Sequence, residues 1–369
     1  MADAAQPEKR SALGGAATYV PQTVIGWLGL VFIGLIVFWL GANLVNDPSE
    51  FFNVAFIGLT NGAVYALVAL GYTLVYGILQ LINFAHGDVF ALGGLVAWAI
   101  IVGGFDKILG IPVGIPGFGL DNTSSAGSIA IVIVLALVIS MAFASLLNVG
   151  IELVAYRRLR NAPRLAPLIT AVGMSFILQG LGLINWGVEF HTVEKLIPNS
   201  VAFSIGDVRF QWDKLGVLLL TIPVLLGLTW LVRSTKQGKA MRATSQDKDA
   251  AAMMGINVNR TISFTFALAG ALAGAGGLLF FLHFTSIRYD TGFQLGLIAF
   301  TAAVLGGIGN LTGAVLGAVC IGLIEQFNEG LELYSPGSDW TRSIVFGILI
   351  AILVFRPEGL LGERTPEGG

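Results

Sequence analysis

Residues 24–45, VIGWLGLVFIGLIVFWLGANLV, contain no charged side chain. In hydrocarbon each peptide N–H and C=O must find its partner inside the segment, so an apolar run of about 20 residues is a membrane-crossing helix. The pattern recurs at 54–79, 84–104, 128–151, 166–187, 214–232, 261–284, 293–309, 311–328 and 341–355. A water-soluble fold is excluded, because only 11% of the residues are charged and the mean hydropathy is +0.83, too little charge to cover a surface. The expected fold is an all-α polytopic transmembrane helix bundle of eight to ten spans. The range reflects two tight junctions, at 80–84 and at 310, where a break inside the membrane fits as well as a turn outside it.

Basic residues orient the bundle. With the N-terminus inside, 14 of the 20 Lys and Arg fall on the inner side: Lys9, Arg10, four between 157 and 164, six between 233 and 260, Arg356 and Arg364. The positive-inside rule then makes both termini cytoplasmic. The expected layout is a cytoplasmic tail 1–23, a single transmembrane domain 24–355 and a cytoplasmic tail 356–369, with outer loops at 105–127 and 188–213 and an inner loop at 233–260. In the second outer loop, VAFSI and VRFQW flank Gly206-Asp207 and predict a small hairpin. These loops fit both a docking surface for another protein and a solvated cap.

Catalytic chemistry has little to stand on. Cys320 is the sole cysteine, and His86, His191 and His283 lack the H-E-x-x-H spacing of a zinc site. Neither a G-x-S-x-G elbow nor a G-x-x-x-x-G-K-[ST] phosphate loop occurs. No metal, catalytic residue or bound cofactor is expected, nor a nucleic-acid partner.

Two polar stretches interrupt the apolar pattern. In LINFAHGDVFALGG, Asn83, His86 and Asp88 lie within six residues. Such groups are costly in a membrane and mark solute paths or hinges by default. Asn83 is expected to cap the following helix, Gly87 to allow a sharp bend, and Asp88 to sit at the favourable N-terminal end of the helix dipole. Asn61 and Tyr65 in the preceding helix join this path-or-hinge group, with interhelical packing as the competing reading. The second stretch, GKAMRATSQDKDAAAMMGINVNR (238–260), is too polar to cross. It predicts a short amphipathic helix ended by Gly255 that inserts into a groove on a partner.

That second stretch resembles the E-A-A-x-x-x-G loop by which permeases of ABC importers engage their ATPases, with Asp249 in place of the glutamate. Together with GLTNGAVYALVALGYTLVYGILQLINFAHGDVFALGG (58–94), LGGIGNLTGAVLGA (305–318) and FRPEGLLG (355–362), the chain resembles the LivH-type permeases of branched-chain amino acid ABC transporters over residues 50–362. The resemblance implies a prokaryotic inner-membrane assembly. Its other parts would be a second permease (LivM-type or another copy of this chain), two cytoplasmic ATPases that use ATP and Mg, and a periplasmic or lipid-anchored protein that delivers the amino acid. It implies alternating access driven through Gly238, Lys239, Arg242, Asp249, Ala250, Ala251 and Gly255, with Ala251 the position whose replacement by a bulky charge uncouples transport. Urea and short amides remain alternative cargoes, and an ATP-independent secondary transporter or channel is a more distant alternative.

Overall fold

The computed structural model describes residues 24–121, 124–160, 162–163, 165–196, 200–356 and 358–362. The expected tail 1–23 and most of the tail 356–369, with Lys9, Arg10, Arg164 and Arg364, lie outside these residues.

All ten expected helices form: α1 Val24–Asn46, α2 Pro48–Leu79, α3 Ala85–Trp98, α4 Ala126–Ile151, α6 Leu165–Trp186, α7 Trp212–Ser234, α10 Val258–Phe284, α11 Thr291–Gly306, α12 Leu311–Gly330 and α13 Ser338–Phe355. Short pieces complete the set: α5 Arg157–Leu159, α8 Lys236–Gln246 and α9 Lys248–Met253. Among the described residues eight helices are long and apolar enough to span a membrane, α3 by continuing through a π-helical turn, Ala99–Gly103, whereas α11 has only 16 residues. At 1.5 Å per residue α11 reaches about 24 Å, short of a hydrocarbon core of about 30 Å. Both tight junctions are genuine breaks. Residues 80–84 separate α2 from α3, with Gln80 at φ 56°, and Gly307 and Gly309, both at positive φ, turn α11 into α12.

The chain divides into two bodies. The smaller comprises residues up to Pro48 with Glu332–Tyr334, in which Trp39 Nε1 and Asn43 Nδ2 donate to the Leu333 carbonyl at 2.6 and 3.3 Å. The larger body, 49–331 and 335 onward, holds the rest.

At the centre of the larger body stand α3, almost wholly buried, and α10, buried along nearly all of Ala269 to Leu282. A helix apolar on every side has no preferred face, so glycine decides where backbones meet. Gly93 and Gly94 of α3 rest on Gly274 and Gly277 of α10, so close that a Cβ on Gly93 would lie 2.9 Å from the Gly274 Cα. Gly87 packs in the same way on Gly292 and Gly296 of α11, and Gly62 of α2 on Ala318 and Val319 of α12. Polar side chains of α4 lock the bundle: the Ser140 hydroxyl donates to the Gly93 carbonyl at 2.9 Å, and Asn148 Nδ2 to Phe266 O at 2.7 Å.

Two ends follow from the topology. One end carries three antiparallel pairs: β1 Phe105–Ile108 with β2 Ile111–Ile115, β3 His191–Thr192 with β6 Ser286–Ile287, and β4 Val201–Ile205 with β5 Val208–Gln211. The expected 201–211 hairpin is present, turning through Gly206 at φ 62°. The opposite end carries the 80–84 break, α8, α9 and the 307–310 turn. There the segment Glu358–Gly362 clasps that turn, with Leu360 N and Leu361 N donating to Leu305 O and Gly306 O at 2.8 and 3.0 Å and Asn310 Nδ2 to Leu361 O at 2.8 Å. The motifs LGGIGN and PEGLLG are therefore one structural unit.

Candidate functional site

The residues expected to form one path or hinge are all buried and fall into two groups. Toward the hairpin end, Asn61 Oδ1 lies 2.9 Å from His283 Nε2 of α10, and the Tyr65 hydroxyl donates to Glu325 of α12 at 2.6 Å. These bonds tie α2 to both neighbours. The second group surrounds the start of α3. Asn83 does not cap that helix: Phe84 occupies the cap position without a side-chain bond, and Asn83 Oδ1 instead accepts from the Tyr156 hydroxyl at 2.9 Å. Gly87 does not bend the chain either. It lies within α3, where its lack of a Cβ admits α11. The physical reason is common to both, since the left-handed turn is taken by Gln80 and leaves 83 and 87 free for tertiary contacts.

His86 and Asp88 point to different neighbours, as residues two apart on a helix must. The His86 ring packs edge-on to Tyr72 at a centroid distance of 4.8 Å and against Gly71. Neither ring nitrogen has a hydrogen-bond partner among the described residues. Asp88 Oδ2 accepts from Ser175 of α6 at 2.5 Å, and Oδ1 is unpartnered there. Gly71 and Tyr65 are six residues, or about 9 Å, apart along α2, so the two groups occupy separate levels of the bundle.

The inner-loop residues come together as a second candidate site. Thr235 caps α8, accepting from Gly238 N at 3.0 Å, and a Cβ on Gly238 would meet the end of α7. Arg242 donates to the Val232 carbonyl and, at 3.4 Å, to Arg233 O, so it closes the C-terminus of α7. Lys239 is exposed. Asp247 caps α9 through Asp249 N and Ala250 N at 2.8 and 2.9 Å. The helix ends in a left-handed Gly255 at φ 83°, with Ile256 N bonded to Ala251 O, as the sequence predicts to within a residue. Ala251 is only 4% exposed and faces its own chain, while Met253 and Met254 are 82% and 84% exposed. The outward apolar surface is therefore the methionine pair.

Sequence reading did not find the buried cluster that anchors this end. Glu152, on a π-helical turn Glu152–Tyr156, is fully buried and bonded to Arg157 at 3.1 Å, to Arg160 and to Ser263 of α10 at 2.7 Å. Arg160 also reaches Asn259 at 2.5 Å. A buried carboxylate needs this number of partners, and the Arg157–Arg160 pair close behind Glu152 was the available signal.

Beside α8 lies an open cleft of about 670 Å³ between the last turns of α2, the α7–α8 corner and the 308–312 turn. None of the six buried path-or-hinge residues lines it.

A glycine-packed bundle of membrane-length helices, with two short helices, α8 and α9, in one connecting segment, has the make-up of a multi-pass membrane protein. The chain belongs to the ABC-transporter family described as branched-chain amino acid transport system / permease component, whose profile matches residues 54–354. It is 37% identical over 313 residues to the high-affinity branched-chain amino acid transport system permease protein BraD of Pseudomonas aeruginosa, covering 84% of this chain and 95% of BraD. Identity to LivH of Escherichia coli K12, a permease protein of the same kind of system, is 34% over 323 residues, covering 86% and 97%. The autoinducer 2 import system permease protein LsrD of Escherichia coli O157:H7 is 25% identical over 302 residues, covering 78% of this chain and 87% of LsrD.

Proposed function

We propose that the chain is the membrane pathway subunit of an ATP-driven importer of branched-chain amino acids, seated in a prokaryotic inner membrane with α8 and α9 on the cytoplasmic side. The near full-length similarity to BraD and LivH carries this reading. Charge supports the orientation: Arg157, Arg158, Arg160, Arg233, Lys236, Lys239, Arg242, Lys248, Arg260 and Arg356 gather at the α8 end, against Lys107, Lys195, Arg209, Lys214, Arg288 and Arg342 at the hairpin end. One of two ATPase subunits binds the Met253–Met254 surface, a second permease completes the pathway and receives the other, and an external binding protein presents the solute to the hairpin end. ATP and its Mg belong to the ATPases. Closure of the ATPases pushes α9, and the rigid Glu152 cluster passes the push to α4 and α10, which frame α3.

The test is transport by the chain reconstituted with its ATPases, second permease and binding protein in vesicles. Leucine uptake that requires ATP is the expected result. Uptake indifferent to ATP defeats the importer reading, and ATP-driven uptake of urea but not leucine changes the cargo.

His86 and Asp88 sit at the α3 break as part of the moving hinge in this reading. Removing the imidazole by His86→Ala, or the carboxylate charge by Asp88→Asn, is expected to slow transport at least tenfold with the permease still assembled. Unchanged rates in both variants leave these residues a packing role only.

A further inference from the structure

The push on α9 needs a route to the break before α3, and one chain of contacts offers it. Four residues beyond Gly255, in the first turn of α10, Asn259 holds Arg160, and Arg160 pairs with the buried Glu152. Glu152 opens the π-helical turn Glu152–Tyr156 and accepts from Ser263 of α10 at 2.7 Å. Tyr156 closes that turn. Its ring packs on Phe266 of α10 at a centroid distance of 5.6 Å, and its hydroxyl donates to Asn83 Oδ1 at 2.9 Å. Just before the turn, Ser145 and Asn148 of α4 donate to Ala267 O and Phe266 O of α10 at 2.8 and 2.7 Å. The inner halves of α4 and α10 therefore form one block, and the Tyr156 hydroxyl reaches out of it to residues 80–84.

Both ends of that bond are sealed, Tyr156 and Asn83 each being 1% exposed. Asn83 Nδ2 has no partner among the described residues, so the tyrosine alone holds the amide. An apolar pair of the same shape would pack about as well, because a buried neutral hydrogen bond adds little net stability. What the pair adds is a fixed position for the break relative to α10. Single π-helical turns are rare and gather at functional sites, and this one aims Glu152 and Tyr156, one turn apart, at α10.

We propose that Tyr156 is a positioning residue for transport: its ring takes up displacement of α10, and its hydroxyl delivers that displacement to Asn83, so that the break before α3 moves in step with α9. The proposal deepens the importer reading and rests on it. Without the bond the ATPases close and reopen while the break lags, and ATP is hydrolysed without transport.

The experiment uses vesicles holding the permease with its ATPases, second permease and binding protein, and reads leucine taken up per ATP hydrolysed. In Tyr156→Phe, which removes one oxygen and keeps the ring, the ratio should fall about fivefold, the worth of a neutral buried bond, with hydrolysis and the KM for leucine near those of the parent. Asn83→Ala should lower the ratio equally, and the double variant should fall no further, as two residues sharing one bond require. A parent-like ratio in Tyr156→Phe overturns the proposal. So does a matched fall of uptake and hydrolysis, the mark of a merely structural role, and so do losses that multiply in the double variant. If Tyr156→Phe fails to assemble, Asn83→Ala decides by the same ratio. A parent that moves no leucine on ATP removes the importer reading and the proposal together, whereas a coupled parent beside an unaltered Tyr156→Phe removes the proposal alone.

Discussion

A Met254→Glu permease is expected to reach the membrane folded and yet lose nearly all ATP-driven uptake. Met254 is 84% exposed and Met253 82%, at the end of a six-residue helix that leaves the bundle. Two bare methionines side by side on a charged loop suit a partner's groove, since their flexible thioethers fill irregular apolar pockets. Burying one contributes about 1.5–3 kcal/mol, and a carboxylate in its place adds a desolvation cost of similar size. The sum corresponds to a fall in ATPase affinity of at least a hundredfold. Met254 has little contact with its own chain, so thermal stability in detergent should stay near that of the parent. Co-purification of the ATPases with the permease reads the outcome, and full retention with normal uptake would discard the docking surface. Ala251→Glu is the poorer probe, because it drives a charge into the space between α9 and its own bundle and confuses misfolding with uncoupling.

The second large effect is structural. Gly94→Leu is expected to yield no folded protein, at a cost above about 3 kcal/mol. A Cβ there would stand 2.8 Å from the Gly277 carbonyl oxygen and 3.1 Å from its carbon. Those are backbone atoms of a helix buried on nearly every side, so relief requires moving α10 as a body. Gly173→Leu on α6 is the control, since a Cβ at that position meets nothing within 4 Å. Fluorescence-detected size exclusion of the two variants separates them: aggregation for Gly94→Leu, a parent-like peak for Gly173→Leu. Parent-like behaviour of both would mean that the α3–α10 contact is looser than described.

Much of this architecture is legible in the sequence because the bilayer imposes a length on every span and charge a direction on every loop. The helix ended by Gly255 and the 201–211 hairpin were legible for a local reason, since each carries its own stop or turn residue. The centre was not. With α3 and α10 apolar all round, hydropathy gives no inward face, and only the glycine pairs mark the seam. Partner choice was hidden as well: that Asn83 would meet Tyr156, or Asp88 meet Ser175, depends on chain brought together from 73 and 87 positions away. Within the expected outer loop 105–127, residues 105–115 form a hairpin, because Gly104 and Gly110 at positive φ supply turns that composition alone does not locate.

The clasp of residues 358–362 on the 307–310 turn also bears on how the protein is made. Asn310 and the Leu361 carbonyl that it holds are separated by 51 positions. At a synthesis rate of about 5–20 residues per second, the turn waits roughly 3–10 s on the ribosome before its cover exists. During that interval α11, too short to cross by itself, has its C-terminal carbonyls at Leu305 and Gly306 uncovered. A chain halted before residues 358–362 therefore leaves those carbonyls without the amides that pair them in the finished protein.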